Sequence, residues 1–301
     1  MERPILVLGG GGVKGLAHIG AWRALEDAGV EFVEVVGTSI GALVAAAIGA
    51  GVDYAALVER GRELEKRDIV GFNRWALLVN GIRQPSIFRD DPLRDYIAEV
   101  LPVDRFEDLA LPVSMNAVDL ESGEEAWFGA GGRTDVSLVD AVYASSALPL
   151  FYPPAEIGGR HYVDGGVADS LPIRRAAARG ADLIVAVDVS AGPVKDAMDT
   201  VSRGMIAIHH RVFDIMAYAD RRAVQAAWSG PPVVRVRPML DGYSTFDFEN
   251  TRYFLDEGYR AAREAWDGWK RRQAAEEEVE RPADTLTGVR KVLSRLVSGG
   301  R

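Results

Sequence analysis

The sequence predicts an α/β fold, a mixed and mainly parallel sheet sandwiched between helical layers. Three observations carry that prediction. Short apolar runs such as Ile5-Leu6-Val7-Leu8 lack polar interruption, as strands covered on both faces do. Residues 5–50 alternate strand and helix patterns in βαβα order. Glycine clusters stand where an apolar run ends and a helical period begins.

Residues 5–8 form the first strand and 16–28 an amphipathic helix; a second apolar run ends at Val36, and an Ala-rich helix follows Gly41. Residues 53–67 read as a helix with one polar face. The stretch 69–89 mixes Phe72, Trp75, Leu77, Leu78, Ile82 and Phe88 with Gly and Pro and has no clean period. It is a candidate cap over a pocket, or equally an irregular loop with its aromatics tucked into the core. A short helix is expected at 91–101. Two strands, 111–119 and 124–128, are joined at Glu121-Ser122-Gly123. Residues 136–144 read as helix, 160–163 as a brief strand, 173–179 as helix and 183–187 as a further buried strand.

A long helix over 194–228 carries Met205, Ile208, Val212, Ile215 and Met216 at core-facing spacing. Residues 233–236 form a strand and 251–269 the last main helix. The charged run 270–281, broken by Pro282, reads as a linker. Beyond it, Leu286, Val289, Val292, Leu293, Leu296 and Val297 beside Arg290, Lys291 and Arg295 make a C-terminal amphipathic helix. Packing on its own domain or on a partner is favoured for it over membrane-surface docking. The expected organisation is an α/β catalytic domain over 1–270, with linker and terminal helix over 271–301.

With 301 residues, 48% hydrophobic and 26% charged, the chain has the balance of a globular protein, which excludes disorder and collagen. The absence of cysteine removes disulfides, thiolate metal sites and a cysteine nucleophile. A net charge of −9 lacks the cationic surplus that phosphate neutralisation needs, so neither a general attraction to an anionic membrane nor a nucleic-acid partner is expected. Met1-Glu2-Arg3-Pro4 leads directly into the first strand, so neither an export signal nor a cleavage site is expected. The longest uncharged run, 35–52, contains Gly37, Gly41, Gly49 and Gly51 and reads as strand, turn and helix rather than a membrane span. A cytoplasmic location follows as the expectation, with peripheral membrane contact left open.

Three segments carry chemistry. In Gly9-Gly10-Gly11-Gly12-Val13-Lys14-Gly15, backbone N–H groups can point into a pocket at a helix N-terminus, an anion receptor. A phosphate-binding loop would need Gly-Lys followed by Ser or Thr, whereas Lys14 precedes Gly15. A dinucleotide site would want an acidic residue after the next strand, where Gly37-Thr38-Ser39 stands instead. An oxyanion hole is the third use. The second segment, Gly37-Thr38-Ser39-Ile40-Gly41, is G-x-S-x-G between a strand and a helix, with small residues permitting the sharp turn that presents Ser39.

A serine nucleophile needs a base. His18 lies in the first helix, His209 and His210 lie within the long helix, and His161 sits on a strand. None stands in a loop after a strand, so a triad is poorly supported. The third segment, Asp164-Gly165-Gly166, puts a carboxylate at a strand end, and Asp164 becomes the base of a two-residue site. Lys14 either meets a substrate phosphate or pairs with a neighbouring carboxylate.

Together the sequence resembles the patatin-like phospholipases, and in particular their compact bacterial members. The family signature is G-G-G-x-R/K-G, then G-x-S-x-G, then D-G-G/A; residues 10–15, 37–41 and 164–166 match in order, and Ala144-Ser145-Ser146-Ala147-Leu148-Pro149 with Pro153-Pro154 resembles the segment ahead of the Asp motif. The resemblance covers about residues 4–265. It implies a patatin-like fold and a serine acyl hydrolase of lipids, of phospholipase A or esterase type, acting on a lipid or other acyl-ester substrate. It also implies a Ser39–Asp164 dyad and an oxyanion hole from Gly10, Gly11 and Gly12, with the last two foremost, and neither metal nor cofactor. Two other readings stay open: a nucleotide-binding enzyme, and a lipid-binding or regulatory protein on the same scaffold without useful turnover.

Overall fold

In β1 (Pro4–Leu8) Leu6 and Leu8 enter one core while Ile5 and Val7 enter the other, which is why the run has no polar position. The computed structural model describes residues 3–64, 66–72, 84–190, 192 and 197–280. β1 lies between β2 (Glu34–Gly37) and β7 (Leu183–Val187), parallel to both. β3 (Val113–Asp119) and β8 (Val233–Val236) extend the parallel set on either side. β4 (Glu125–Gly129) and β6 (Arg160–Asp164) run antiparallel to β3, and β5 (Ala155–Ile157) pairs with β6. The sheet is thus mixed and mainly parallel, as expected. β5, three residues long and following two prolines, had no readable signal.

Helices cover both faces. α1 (Leu16–Asp27), α2 (Ile40–Gly49) and α3 (Tyr54–Glu63), the last capped by Asp53 accepting the Ala56 amide at 2.8 Å, lead to the short α4 (Lys66–Ile69). α5 (Asp91–Val100), α6 (Leu138–Ser146) and α7 (Ile173–Ala178) follow. Of the stretch 69–89, residues 73–83 lie outside the described set. Its described flanks bury Phe88 edge-on to Phe72, Tyr152 and Phe246.

Two expectations change. The helix read over 194–228 is two, α8 (Ala197–Ser202) and α9 (Met205–Ala226), parted at Gly204 with φ 85°. Its apolar stripe also faces solvent: Met205, Ile208, Val212, Ile215 and Met216 are all exposed. The opposite face is drawn inward instead, with Arg221 donating to the Ser170 hydroxyl at 2.8 Å and Arg211 to the Gly192 carbonyl at 3.0 Å. The last main helix, α10, runs Thr251–Glu280 and crosses the charged run read as a linker. That run is rich in strong helix formers, and Lys270 pairs with Asp267 at 3.2 Å within it. The amphipathic helix expected over 286–297 lies outside the described residues.

Candidate active site

Register on β3 assembles the site. Gly37, at the end of β2, is opposite Met115, and Asp164, at the end of β6, is opposite Ala117. Strand ends two positions apart on one ladder are about 7 Å apart. That brings together residues separated by 125 positions: the Ser39 hydroxyl donates to Asp164 Oδ2 at 2.7 Å.

Ser39 occupies the turn between β2 and α2 with φ 56° and ψ −125°, a conformation that costs a non-glycine residue about 1–3 kcal/mol. The sharp turn needs its flanking glycines, since a Cβ on Gly41 would lie 2.1 Å from the Leu8 carbonyl and one on Gly37 2.4 Å from the Gly41 carbonyl. Gly15 makes room in the same way for Ile40.

Two braces hold the strained turn against the aspartate. From α6, the Ser145 hydroxyl accepts the Ser39 amide at 2.9 Å and the Ala147 carbonyl accepts the Asp164 amide at 3.1 Å. From β3, Asn116 stands between the partners of Gly37 and Asp164. Its Oδ1 accepts from the Thr38 hydroxyl at 2.8 Å, and its Nδ2 reaches the Gly165 carbonyl at 3.2 Å and the Asp169 carbonyl at 3.1 Å. A Cβ on Gly165 would fall 2.2 Å from Asn116 Oδ1, so this brace also accounts for that glycine. Neither Asn116 nor Ser145 was singled out as a site residue. Both act through partners distant in the chain, and no local pattern marks them.

Burial removes water from the Asp164 carboxylate and pushes its pKa up from 3.8 to about 6, against the lowering effects of the Ser39 hydroxyl and of the Gly166 amide, which donates to Oδ1 at 2.7 Å. A carboxylate so placed is a far better proton acceptor near neutrality than a solvated one.

The glycine loop lies against Ser39, a Cβ on Gly10 falling 3.5 Å from Ser39 Cβ. Gly10 was expected among the oxyanion donors, but its amide donates to the Ser170 carbonyl at 3.0 Å, just as the Gly9 amide is taken by the Val187 carbonyl at 3.1 Å. The loop leaves the sheet's hydrogen bonding only after Gly10. The Gly11 and Gly12 amides have no acceptor among the described residues, nor does that of Ile40, at the start of α2. Gly12 has φ 62° and would place a Cβ 2.2 Å from Thr245, so glycine is required there. Buried His18 donates through Nε2 to the Gly9 carbonyl at 2.8 Å, and burial lowers its pKa to about 4, so the ring is neutral and holds the loop in place.

Lys14 is buried behind the loop, and its ammonium pairs with no described residue within ion-pair distance. Desolvation lowers its pKa, offset in part by the field of Asp214, Asp188 and Asp241. Of the two expectations for it, direct pairing with a carboxylate is absent among the described residues. His210, dismissed in the sequence as mid-helix, lines the same space, with Nε2 3.0 Å from the Thr245 hydroxyl; burial lowers its pKa. His161 is bound to Glu121 at 2.8 Å on the exposed end of β6 and takes no part.

From Ser39 a narrow cavity of about 110 Å³ runs between Leu16, Leu43, Leu64, Leu93, Ile97 and Tyr152. A wider and more polar vestibule of about 810 Å³, bordered by Arg203, Arg211, Asp241 and Ser244, meets it at Lys14, His210 and Thr245. No group of acidic and histidine side chains among the described residues could hold a metal ion. No helix among them is long and apolar enough to cross a membrane.

A family model described as patatin-like phospholipase matches residues 6–177. An uncharacterized NTE family protein of Mycobacterium tuberculosis is 32% identical over 260 residues, covering 78% of this chain and 69% of the relative. Patatin-like phospholipase domain-containing protein 6 of Homo sapiens is 28% identical over 88% of this chain, which spans 20% of that protein. Lysophospholipase NTE1 of Debaryomyces hansenii is 28% identical over 81% of this chain and 16% of its own length. Among solved structures, VipD from Legionella pneumophila superposes with a TM-score of 0.56 at 14% identity, over 89% of this chain and 67% of that one, a likeness of fold.

Proposed function

This chain belongs to the patatin-like phospholipase family, and from that premise we propose that it cleaves carboxylic esters of lipids with Ser39 as nucleophile and Asp164 as base. One observation carries the reading: the 2.7 Å hydrogen bond from Ser39 to a buried carboxylate whose pKa burial lifts to about 6.

Asp164 Oδ2 takes the hydroxyl proton as Ser39 Oγ attacks the ester carbonyl. The Gly11 and Gly12 amides, at the positive end of the turn into α1, donate to the oxygen on which charge develops. Collapse breaks the bond to the alcohol, which leaves with the proton from Asp164, and an acyl group remains on Ser39. Water then gives a proton to Asp164 and attacks the acyl carbonyl; collapse returns that proton to Ser39 and frees the acid. A dyad without an imidazole leans on its oxyanion donors, each worth about 100- to 1000-fold in rate.

The narrow apolar cavity suits one acyl chain, and the more polar vestibule, with its arginines, suits a head group. This fits a lysophospholipid, the substrate class for which the Debaryomyces hansenii relative, lysophospholipase NTE1, is named. Lys14 lines both cavities, which supports a contact between its side chain and the phosphate of such a substrate.

The test is labelling with a fluorophosphonate, paired with hydrolysis of a short p-nitrophenyl ester. Wild type should label and turn over, while Ser39→Ala and Asp164→Asn should do neither. Turnover retained in both variants sinks the dyad, and an inert wild type makes the chain a lipid-binding protein on this scaffold.

A further inference from the structure

α9 is amphipathic in the inverted sense. Residues 210, 213, 214, 217 and 221 share one side of the helix, and there His210, Phe213, Asp214, Ala217 and Arg221 line the catalytic cavity. The other side carries Met205, Ile208, Val212, Ile215 and Met216, with Met205 80% and Met216 60% exposed. A helix of a globular protein normally turns such a stripe to the core. Here the mixed polar side is turned inward and the aliphatic side lies in water, beside the mouth of the vestibule.

We propose that the outward face of α9 rests on the surface of a phospholipid bilayer and holds the cavity mouth there. This inference rests on the lipid-ester reading above and adds where the enzyme meets its substrate. Two arguments select a bilayer as the occupant. The stripe from Met205 to Met216 spans twelve residues, eleven rises of 1.5 Å or roughly 16 Å, and is one helix wide. Its N-terminal end runs onto the rim of the vestibule, where exposed Ile206 is also a lining residue, so whatever covers the stripe also meets the mouth through which a lipid enters. Beside the stripe, Arg222 lies 5.9 Å from the Tyr218 ring, an amphipathic and cationic border suited to head groups on a chain whose net charge is otherwise acidic.

The experiment is co-sedimentation with vesicles of phosphatidylcholine and phosphatidylglycerol, using Ser39→Ala protein so that the lipid is not consumed. It is compared with the same protein carrying Ile208→Gln, Val212→Gln and Met216→Gln. These side chains are exposed and outside the catalytic cavity, so in the Ser39-containing protein the triple substitution should leave hydrolysis of a short soluble ester within about twofold of wild type. Partition onto vesicles should fall by about tenfold or more, since withdrawing even one large apolar side chain is worth about that factor, and vesicle hydrolysis should fall with it. Unchanged partition overturns the proposal. Binding seen only after residues 281–301 are deleted gives the face to that segment, and a wild-type dimer that the triple variant dissolves without loss of vesicle binding gives it to a second copy. Absence of soluble-ester hydrolysis in wild type, with partition still dependent on the three residues, would fail the catalytic reading alone.

Discussion

Replacing Asp164 by Asn should abolish turnover and at the same time stabilise the fold at alkaline pH. The carboxyl is buried, and its pKa stands near 6 against 3.8 when solvated. Two units at 1.36 kcal/mol each make the ionised native side chain unfavourable by about 3 kcal/mol. Because the folded-state value is the raised one, protonation favours the native state. The handicap is complete above about pH 7, falls to about 1.5 kcal/mol at pH 5, and vanishes below about pH 4, where the carboxyl is protonated folded or unfolded. Asn is uncharged throughout and retains an acceptor for the Gly166 amide. Its gain over wild type should therefore be largest at pH 8, where about 3 kcal/mol corresponds to roughly 6–10 °C in a domain of this size. Thermal unfolding followed by circular dichroism at pH 8 and pH 5, with ester hydrolysis in parallel, reads both effects. A loss of stability at pH 8, or a gain independent of pH, refutes the burial argument; retained hydrolysis refutes the base.

The same carboxyl sets the pH profile: kcat/KM should fall as pH drops through about 6, and a profile flat from pH 5 to 8 would show that Asp164 does not gate the reaction. Asn116→Ala and Thr38→Val should each lower kcat by about 10- to 100-fold with KM within about twofold, since each cuts the brace between the turn and the aspartate. The double variant should lose little more, and Thr38→Ser should restore most of the rate; additive losses would dissolve the brace. Lys14→Ala should depress hydrolysis of a lysophospholipid by about tenfold or more while sparing a neutral p-nitrophenyl ester, and equal losses on both would remove the phosphate contact.

Ser39, Asp164 and the glycine loop were legible because each motif is local: a strand end, a turn that only small residues permit, and a helix start. What unites them is not local. That β6 lies beside β3, putting Asp164 opposite Ala117, is a choice of strand neighbour that no periodicity encodes, so Asn116 and Ser145 stayed invisible. Gly10 was misjudged for a related reason, since its amide is claimed by Ser170, a residue on a distant loop. In α9 the period was read correctly and its direction was not. Repetition at Met205, Ile208, Val212, Ile215 and Met216 announces an amphipathic helix, but the side that turns inward was decided by Phe213 beneath the Asp164 turn and by the anchoring of Arg211 and Arg221. The run after Trp269 was misread by its charge, although Glu, Lys, Arg and Ala also form helices well.

Because the spacing of Ser39 and Asp164 is written in the ladder positions of β3, the length of chain between them is free to vary. The hairpin at 120–124 and the loop at 148–154, beyond the Ala147 carbonyl that holds Asp164, could gain or lose residues, and substrate preference with them, while the reacting atoms stay where they are. A slip of a single residue in the pairing of β6 would be another matter. It would turn the carboxylate to the opposite side of the sheet and extinguish the enzyme without touching one residue of its motifs.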